Sequence, residues 1–131
     1  MNANRNRFEL ARQNFSRALF RLHEAVDFDE SDMARDALIQ RFEFTYELAW
    51  KSLFYGLRDA GENVQEMVRP VFQAAFRAQW IGDPQVWERI KDCRDETSHT
   101  YNEAKAIAVA AFVRAEALAT FDALRGKLAA L

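Results

Sequence analysis

Three side chains that suit phosphate chemistry lie within eight residues of this sequence. Arg94, His99 and Tyr101 occur in the segment Arg-Asp-Glu-Thr-Ser-His-Thr-Tyr, where a helix is expected to end. An arginine can neutralise a phosphate through a bidentate contact, and a histidine can act as general acid or base near neutral pH. The phenol can orient either group or accept a covalent modification. Cleavage of RNA through attack of its 2′-OH needs only such parts and no metal.

A simpler interpretation of the same residues is helix capping. Basic side chains near a helix C-terminus often only bond the last carbonyls, and on spacing alone this is favoured, because R-x4-H arises easily by chance. Catalysis would also need both a base and an acid, whereas one chain supplies one histidine in the motif. A two-fold dimer would bring a second Arg94 and a second His99 into one groove, so a site shared between two chains is more plausible than a monomeric one.

Composition indicates a small helical protein. The chain has 131 residues, half of them hydrophobic, with only four Gly and two Pro. So few turn residues favour a few long helices around one core. No apolar run approaches the ~20 residues that cross a bilayer, and no signal peptide is evident, so we expect a cytoplasmic protein without membrane contact. The single Cys93 excludes an internal disulfide and a multi-cysteine metal site; no metal or cofactor is expected.

The charge balance limits the partners. With 18 basic and 20 acidic side chains the net charge is −2, whereas proteins that hold long nucleic acids by counterion release usually carry a clear basic excess. Any contact with nucleic acid must therefore be local. The arginines of residues 1–25 scatter around a helical wheel and are interpreted as a solvated face.

The apolar pattern predicts an all-α, up-and-down helical bundle in which residues 1–131 form a single domain. The five predicted helices span about 3–26, about 32–60, a short segment from Pro70 to Gly82, a segment that begins at Pro84, and about 103–130. The expected N-caps are Asp29 or Ser31, Asp83 and Asn102. Gly61 is the expected C′ residue of the second helix.

Apolar stripes predict the buried side of each helix. The stripe of the first helix comprises Phe8, Ala11, Phe15, Ala18, Leu19, Leu22 and Val26. Leu10 and Phe20 fall off that stripe and are candidates for contact with another subunit. In the third helix the predicted shared face comprises Phe72, Ala75, Phe76 and Gln79. The predicted stripe of the fifth helix comprises Ala104, Ile107, Ala108, Ala111, Ala115, Leu118, Phe121, Leu124 and Leu128.

Arg94 continues the buried edge of the fourth helix. It follows Trp87 by seven residues and Ile90 by four, and an arginine on an inward edge must be paired or must face a cleft. Positions 94 and 99 of an unbroken helix point about 140° apart. The two residues can therefore converge only if the chain bends near Ser98, where hydroxyl side chains compete for backbone hydrogen bonds.

A second block of sequence strengthens the motif. The stretch Leu38-Ile-Gln-Arg-Phe-Glu-Phe-Thr-Tyr-Glu-Leu-Ala-Trp-Lys51, together with residues 94–103, resembles the nucleotidyltransferase substrate-binding protein family, small all-helical proteins of the HEPN superfamily. The resemblance covers about residues 8–128. It implies a helical bundle that forms a homodimer and pairs with a separately encoded minimal nucleotidyltransferase of the polymerase-beta type.

The resemblance also implies roles for single residues. In related HEPN toxins the R-x4-H-x-Y motif is a metal-independent ribonuclease site, and the nucleotidyltransferase acts as antitoxin by transferring AMP to the motif tyrosine. Carried over, Arg94 and His99 are the catalytic pair, Tyr101 is the AMP acceptor, and RNA is the candidate substrate. Glu43 and Glu47, in the second block, are candidate lining residues of the same cleft.

Two other functions stay open at the level of sequence. A non-catalytic subunit that presents a nucleotide or substrate to the nucleotidyltransferase is favoured by the acidic neighbours Asp92, Asp95 and Glu96 and by the lack of a Gly-rich phosphate loop. A purely structural dimer ranks last, because it leaves Arg94 on an apolar stripe unexplained.

Overall fold

The protein is a bundle of helices, with no strand among the residues that the structure describes. The computed structural model describes residues 3–99 and 102–131, apart from the side chain of His99. The elements are α1 (Ala3–Val26), α2 (Asp32–Asp59), α3 (Val68–Arg77), α4 (Pro84–His99), α5 (Glu103–Phe112), a π-helical turn (Val113–Ala117) and α6 (Leu118–Ala129). Because the last three form one continuous rod, the prediction of an all-α bundle of about five helices is confirmed. No helix in these two ranges is both long and apolar enough to cross a bilayer.

The predicted N-caps are confirmed where the structure describes them. The Ser31 side chain accepts a hydrogen bond from the backbone N–H of Ala34 at 3.1 Å, so Ser31 and not Asp29 caps α2. Asn102 caps α5 in the same way through the N–H of Lys105. Before α4, Asp83 Oδ1 accepts from the N–H of Gln85 at 2.9 Å. Each cap satisfies a backbone donor that the first helical turn leaves free.

Two helices end in the same left-handed turn. After α2, Gly61 has a φ of 91°, and the N–H groups of Gly61 and Glu62 donate to the carbonyls of Arg58 and Leu57. This pair of hydrogen bonds defines the Schellman motif, and Gly61 is its C′ residue as predicted.

The prediction that Gly82 ends α3 is wrong. The helix ends at Arg77, and Gln79 takes the left-handed position with a φ of 63°. Trp80 N–H donates to the Ala75 carbonyl at 2.9 Å, which completes a second Schellman motif. A glutamine can occupy this position at a cost in backbone strain, so the absence of glycine at residue 79 concealed the turn from sequence reasoning.

The core is centred on Phe121 of α6. Its ring lies 6.2 Å from those of Phe15 in α1 and Phe42 in α2, and 5.9 Å from that of Trp87 in α4. Trp87 in turn contacts Phe72 of α3 at 5.2 Å. Edge-on and tilted aromatic pairs at such distances add to the stabilisation from burial, so one cluster ties α1, α2, α3, α4 and α6 together.

The predicted face of α3 is partly wrong. Val71, Ala74 and Ala75 are buried, whereas Phe76 is 48% exposed and Phe72 is only partly buried. The small residues allow α3 to approach α2 closely, and the two phenylalanines lie at the margin of that contact. Phe76 consequently lines a surface depression and does not belong to the core.

The predicted stripe of the last rod is wrong in its first half. Ala104, Ile107, Ala108, Ala111 and Ala115 are exposed, and the buried residues are Ala106, Val109, Ala110, Val113 and Ala117. An alanine-rich segment offers apolar residues on every side, so larger valines decide which face is buried. The wider π turn brings Val113 and Ala117 inward together and leaves Arg114 at the margin, where it reaches the Val26 carbonyl. Beyond the turn, Phe121, Leu124 and Leu128 are buried as predicted.

Candidate functional site

Arg94 lies on the inward edge of α4, as its spacing predicts. Trp87 is 3% exposed and Ile90 is fully buried, and Arg94 follows them on the same side of the helix with its side chain 25% exposed. The bundle thus holds the Arg94 guanidinium in a partly buried position between α4 and α2. Such a charge needs a partner, because an isolated ion loses most of its hydration there.

Two carboxylates of α2 supply that partner. Arg94 Nη1 lies 3.3 Å from Glu43 Oε2, and Arg94 Nε lies 3.7 Å from Glu47 Oε1. The two glutamates are four residues apart and therefore share one face of α2. Glu47 is fixed on its other side by Trp50, whose indole N–H donates to Glu47 Oε2 at 3.1 Å. The structure thus brings Arg94, Glu43 and Glu47 together.

Sequence reasoning missed the role of Thr97. Its hydroxyl lies 2.6 Å from Glu43 Oε2 and 2.9 Å from the Arg94 carbonyl. A hydroxyl has one proton, and the shorter contact to a charged acceptor is the stronger of the two. Thr97 therefore orients Glu43 from the same helix that carries Arg94. The available signal was the i,i+3 spacing from Arg94, which puts both side chains on one side of α4.

The bend near Ser98 that Arg94 and His99 would need in order to converge is absent from the described part of α4. The helix continues through Ser98 to His99, and the Ser98 hydroxyl bonds back to the Asp95 carbonyl at 2.9 Å. Back-bonding of this kind lets Ser and Thr remain inside a helix. Positions 94 and 99 are therefore about 140° apart around one unbroken helix. The side chain of His99, and Tyr101 as a whole, lie outside the described residues.

The surroundings of Arg94 are acidic. Burial raises the pKa of the Tyr46 phenol above its usual value; the charges of Glu47 and Asp95 act in the same direction, and that of Arg94 opposes them. On the other side of α4, burial together with the charges of Glu96 and Asp92 raises the pKa of the Cys93 thiol to about 11. Both groups are protonated at neutral pH, so neither acts as an anionic base or nucleophile there.

One buried donor of Arg94 has no hydrogen-bond acceptor among the described residues. This donor is the Nε–H, from which Glu47 Oε1 at 3.7 Å is too far away. The arrangement can hold a guanidinium in a fixed orientation and offer it to an anion. Among the described residues, no group of three or more His, Cys, Asp or Glu side chains could hold a metal ion.

Comparison with known proteins shows the family of the chain. The family model described as nucleotidyltransferase substrate binding protein like matches residues 10–130. The chain belongs to this family. A curated relative in Haemophilus influenzae, named "Probable ribonuclease HepT", is 37% identical over 75 residues, which are 54% of this chain and 51% of the relative. The match therefore spans about half the length of that protein.

A solved structure has the same fold over most of the chain. A crystal structure of a protein from Thermus thermophilus superposes with a TM-score of 0.72 at 32% sequence identity. The match covers 88% of this chain and 96% of the Thermus chain. The helical bundle of this family member is therefore shared with an experimentally solved protein over nearly the full length of the latter.

Proposed function

We propose that this family member is the helical partner of a separately encoded minimal nucleotidyltransferase and acts, as the toxin of a toxin–antitoxin pair, as a metal-independent endoribonuclease. The observation that most supports this proposal is the guanidinium of Arg94, which Glu43 and Glu47 hold on the inward edge of α4. The ribonuclease name of the Haemophilus relative supports the same assignment.

The reaction assigned to the motif is attack of a ribose 2′-oxygen on the adjacent phosphorus. A general base removes the 2′-OH proton, the new P–O bond closes a cyclic phosphate, and the departing 5′-oxygen takes a proton from a general acid. Histidine suits both proton transfers, and the role of Arg94 is to balance the charge that develops on the phosphoryl oxygens.

The proposed site is shared by two copies of the chain. One unbroken helix separates positions 94 and 99 by about 140°, and one chain carries one His99. A homodimer supplies the second histidine, so that one acts as base and the other as acid. Leu10 and Phe20 support an apolar contact surface for a second copy, because they are 58% and 67% exposed on α1.

Tyr101 is the proposed control point. In this proposal the nucleotidyltransferase transfers AMP from a nucleoside triphosphate to the Tyr101 oxygen, with pyrophosphate as the leaving group. The modification adds a bulky anion two residues from His99, and so blocks the phosphate of an RNA substrate by repulsion and by volume.

A second function is favoured by the local charge. Arg94 faces two carboxylates, and Asp95 lies beside it in the sequence, so the site as a whole carries a negative balance. A non-catalytic subunit that binds a nucleotide or another substrate for the nucleotidyltransferase would need only a weak local anion contact. The family description agrees with this alternative.

Cleavage in the presence of EDTA tests the first function. Purified protein should cut single-stranded RNA with excess EDTA, and His99→Ala and Arg94→Ala, purified in parallel, should each lose at least about a hundredfold in rate. Equal cleavage by His99→Ala would identify a contaminating nuclease and contradict the proposal, as would intact RNA with every preparation.

Co-expression tests the proposed control. After co-expression with the neighbouring nucleotidyltransferase gene product, intact-mass measurement should show one added AMP, absent from Tyr101→Phe. AMP addition together with loss of cleavage supports the toxin–antitoxin assignment. Nucleotide binding without either cleavage or AMP addition would favour the binding subunit instead.

A further inference from the structure

A small apolar cavity lies between α3 and α4, and Lys91, the lining residue nearest to Arg94 in the sequence, precedes it by about one helical turn. Its volume is about 170 Å³, roughly that of five or six water molecules. Pockets that enclose a whole small-molecule ligand usually measure ~300–1,000 Å³. The cavity therefore fits one ring system that belongs to a larger ligand.

Aromatic rings form the walls of this cavity. Phe72 and Trp87 lie 5.2 Å apart on one side, with Ile81 in the lining. Phe76 stands at the rim and is 48% exposed. An exposed phenylalanine beside an aromatic depression offers a face on which a flat ring can stack.

The mouth of the cavity is polar and carries two cations, Arg69 and Lys91, together with the carboxylate of Glu88. Gln73 supplies an amide that can both donate and accept hydrogen bonds. Arg69 pairs with Glu88 at 3.4 Å, and both side chains are at least half exposed, so this ion pair is weak. Lys91 completes the rim and is paired with Asp95 Oδ2 at 2.8 Å within α4, so a phosphate must compete with that carboxylate. Apolar walls, an amide and two cations complement a heteroaromatic base attached to a phosphate better than they complement an aliphatic side chain.

The cavity and Arg94 belong to one continuous surface of α4. Lys91 precedes Arg94 by three residues, which is about 4.5 Å along the helix axis. Tyr46 lies between them on α2: its ring is 6.3 Å from that of Phe72, and the charges of both Arg94 and Glu88 act on its phenol. A ligand that fills the cavity can therefore reach Arg94 without crossing another helix.

We propose that the α3–α4 cavity holds one unstacked base of single-stranded RNA whose neighbouring phosphate lies at Arg94. The inference rests on the proposed ribonuclease function and extends it, because it assigns a base-binding subsite that determines where on a strand the enzyme binds. Phe76 stacks on the base, Gln73 contacts its polar edge, and Arg69 and Lys91 hold the flanking phosphates.

Binding measurements in a His99→Ala background test the subsite while the RNA stays intact. The probe is a short fluorescently labelled single-stranded oligoribonucleotide, followed by anisotropy. Phe76→Ala should weaken binding roughly 5- to 150-fold, the range expected for loss of one base–aromatic stack. Phe76→Trp should bind within about threefold of the parent, since it keeps a stacking face. Phe28→Ala, which removes another exposed phenylalanine, should leave affinity unchanged, and melting curves establish that each variant is folded.

An abasic oligonucleotide separates base recognition from a general effect of the substitution. An RNA with abasic residues should bind weakly and equally to the parent and to Phe76→Ala. A Phe76→Leu variant that binds like the parent would overturn the proposal, because leucine keeps the apolar bulk without the stacking face. Equal weakening of intact and abasic RNA by Phe76→Ala would overturn it as well, and so would AMP alone binding as tightly as the oligonucleotide.

The outcome is independent of whether the protein cleaves RNA. If the parent protein cleaves RNA but Phe76→Ala binds normally, the subsite is wrong and the ribonuclease function stands. If Phe76→Ala weakens binding of intact RNA but not of abasic RNA, and the parent protein does not cleave RNA, the subsite stands as a binding site and the ribonuclease function fails.

Discussion

Replacement of Thr97 by valine tests the contact that orients Glu43 toward Arg94. The substitution keeps the side-chain shape and the helix propensity, and it removes only the hydroxyl that lies 2.6 Å from Glu43 Oε2. A hydrogen bond to a charged acceptor contributes about 1.5–3 kcal/mol. Because Thr97 is only partly buried, water replaces part of that contact, and we expect Thr97→Val to lower the free energy of unfolding by about 1–2 kcal/mol.

Ser98→Ala is the matched control. The Ser98 hydroxyl bonds only to helical carbonyls of Arg94 and Asp95, and alanine is the better helix former, so its free energy of unfolding should stay within about 0.5 kcal/mol of the parent. Urea unfolding followed by circular dichroism measures both variants. With m about 2 kcal/mol/M, the midpoint of Thr97→Val should fall by roughly 0.5–1 M. Equal midpoints for the two variants would refute the reasoning.

Three further predictions follow from the fold. Gln79→Gly should raise the free energy of unfolding by about 0.5–1 kcal/mol, because Gln79 has a φ of 63°; Gln79→Ala, which keeps the strain, should not, and calorimetry distinguishes them. Phe121→Ala should lower the free energy of unfolding by about 3–5 kcal/mol, because its fully buried ring contacts three other aromatic rings. A loss below about 1 kcal/mol in urea unfolding would contradict the central place of Phe121 in the core. Cys93, with its pKa raised to about 11, should react with iodoacetamide at pH 8 roughly a hundredfold more slowly than in unfolded protein. Between about pH 8.5 and pH 11 the thiol is ionised in the unfolded chain but still protonated in the folded one. The free energy of unfolding should therefore decrease as the pH rises through this range.

The parts of the fold that the sequence predicted well are those with strong local signals. Ser31, Asp83 and Asn102 each hold a backbone N–H at a helix start, and Gly61 adopts the left-handed turn that glycine favours. In α1 the large apolar residues recur at helical spacing, so its buried face was clear.

The parts that failed are those where local signals are weak or point elsewhere. Gln79 adopts the left-handed conformation that glycine usually takes. Because residue 79 is not glycine, the end of α3 was predicted too late, at Gly82. In the last rod, alanines on every side gave no unique face, and the π turn at Val113–Ala117 changes the phase of the helix. That turn depends on packing against other helices, which no local pattern encodes.

The candidate site shows the same division. The buried edge of α4 predicted that Arg94 points inward, and the i,i+4 spacing of Glu43 and Glu47 put them on one face of α2. That these faces meet across 3.3 Å and 3.7 Å is a property of the packing. The role of Thr97 was not predicted from the sequence, because its partner, Glu43, lies 54 residues away in the chain.

Dilution of active chains with an inactive variant tests most directly whether two copies share one ribonuclease site. Wild-type protein and His99→Ala are mixed in equal amounts, allowed to exchange subunits, and assayed on RNA in EDTA. If both histidines of a dimer act in one groove, only the wild-type homodimers cleave, and the rate should fall to about a quarter of that of undiluted protein. A rate near half would mean that each chain carries a complete site and would contradict the shared site.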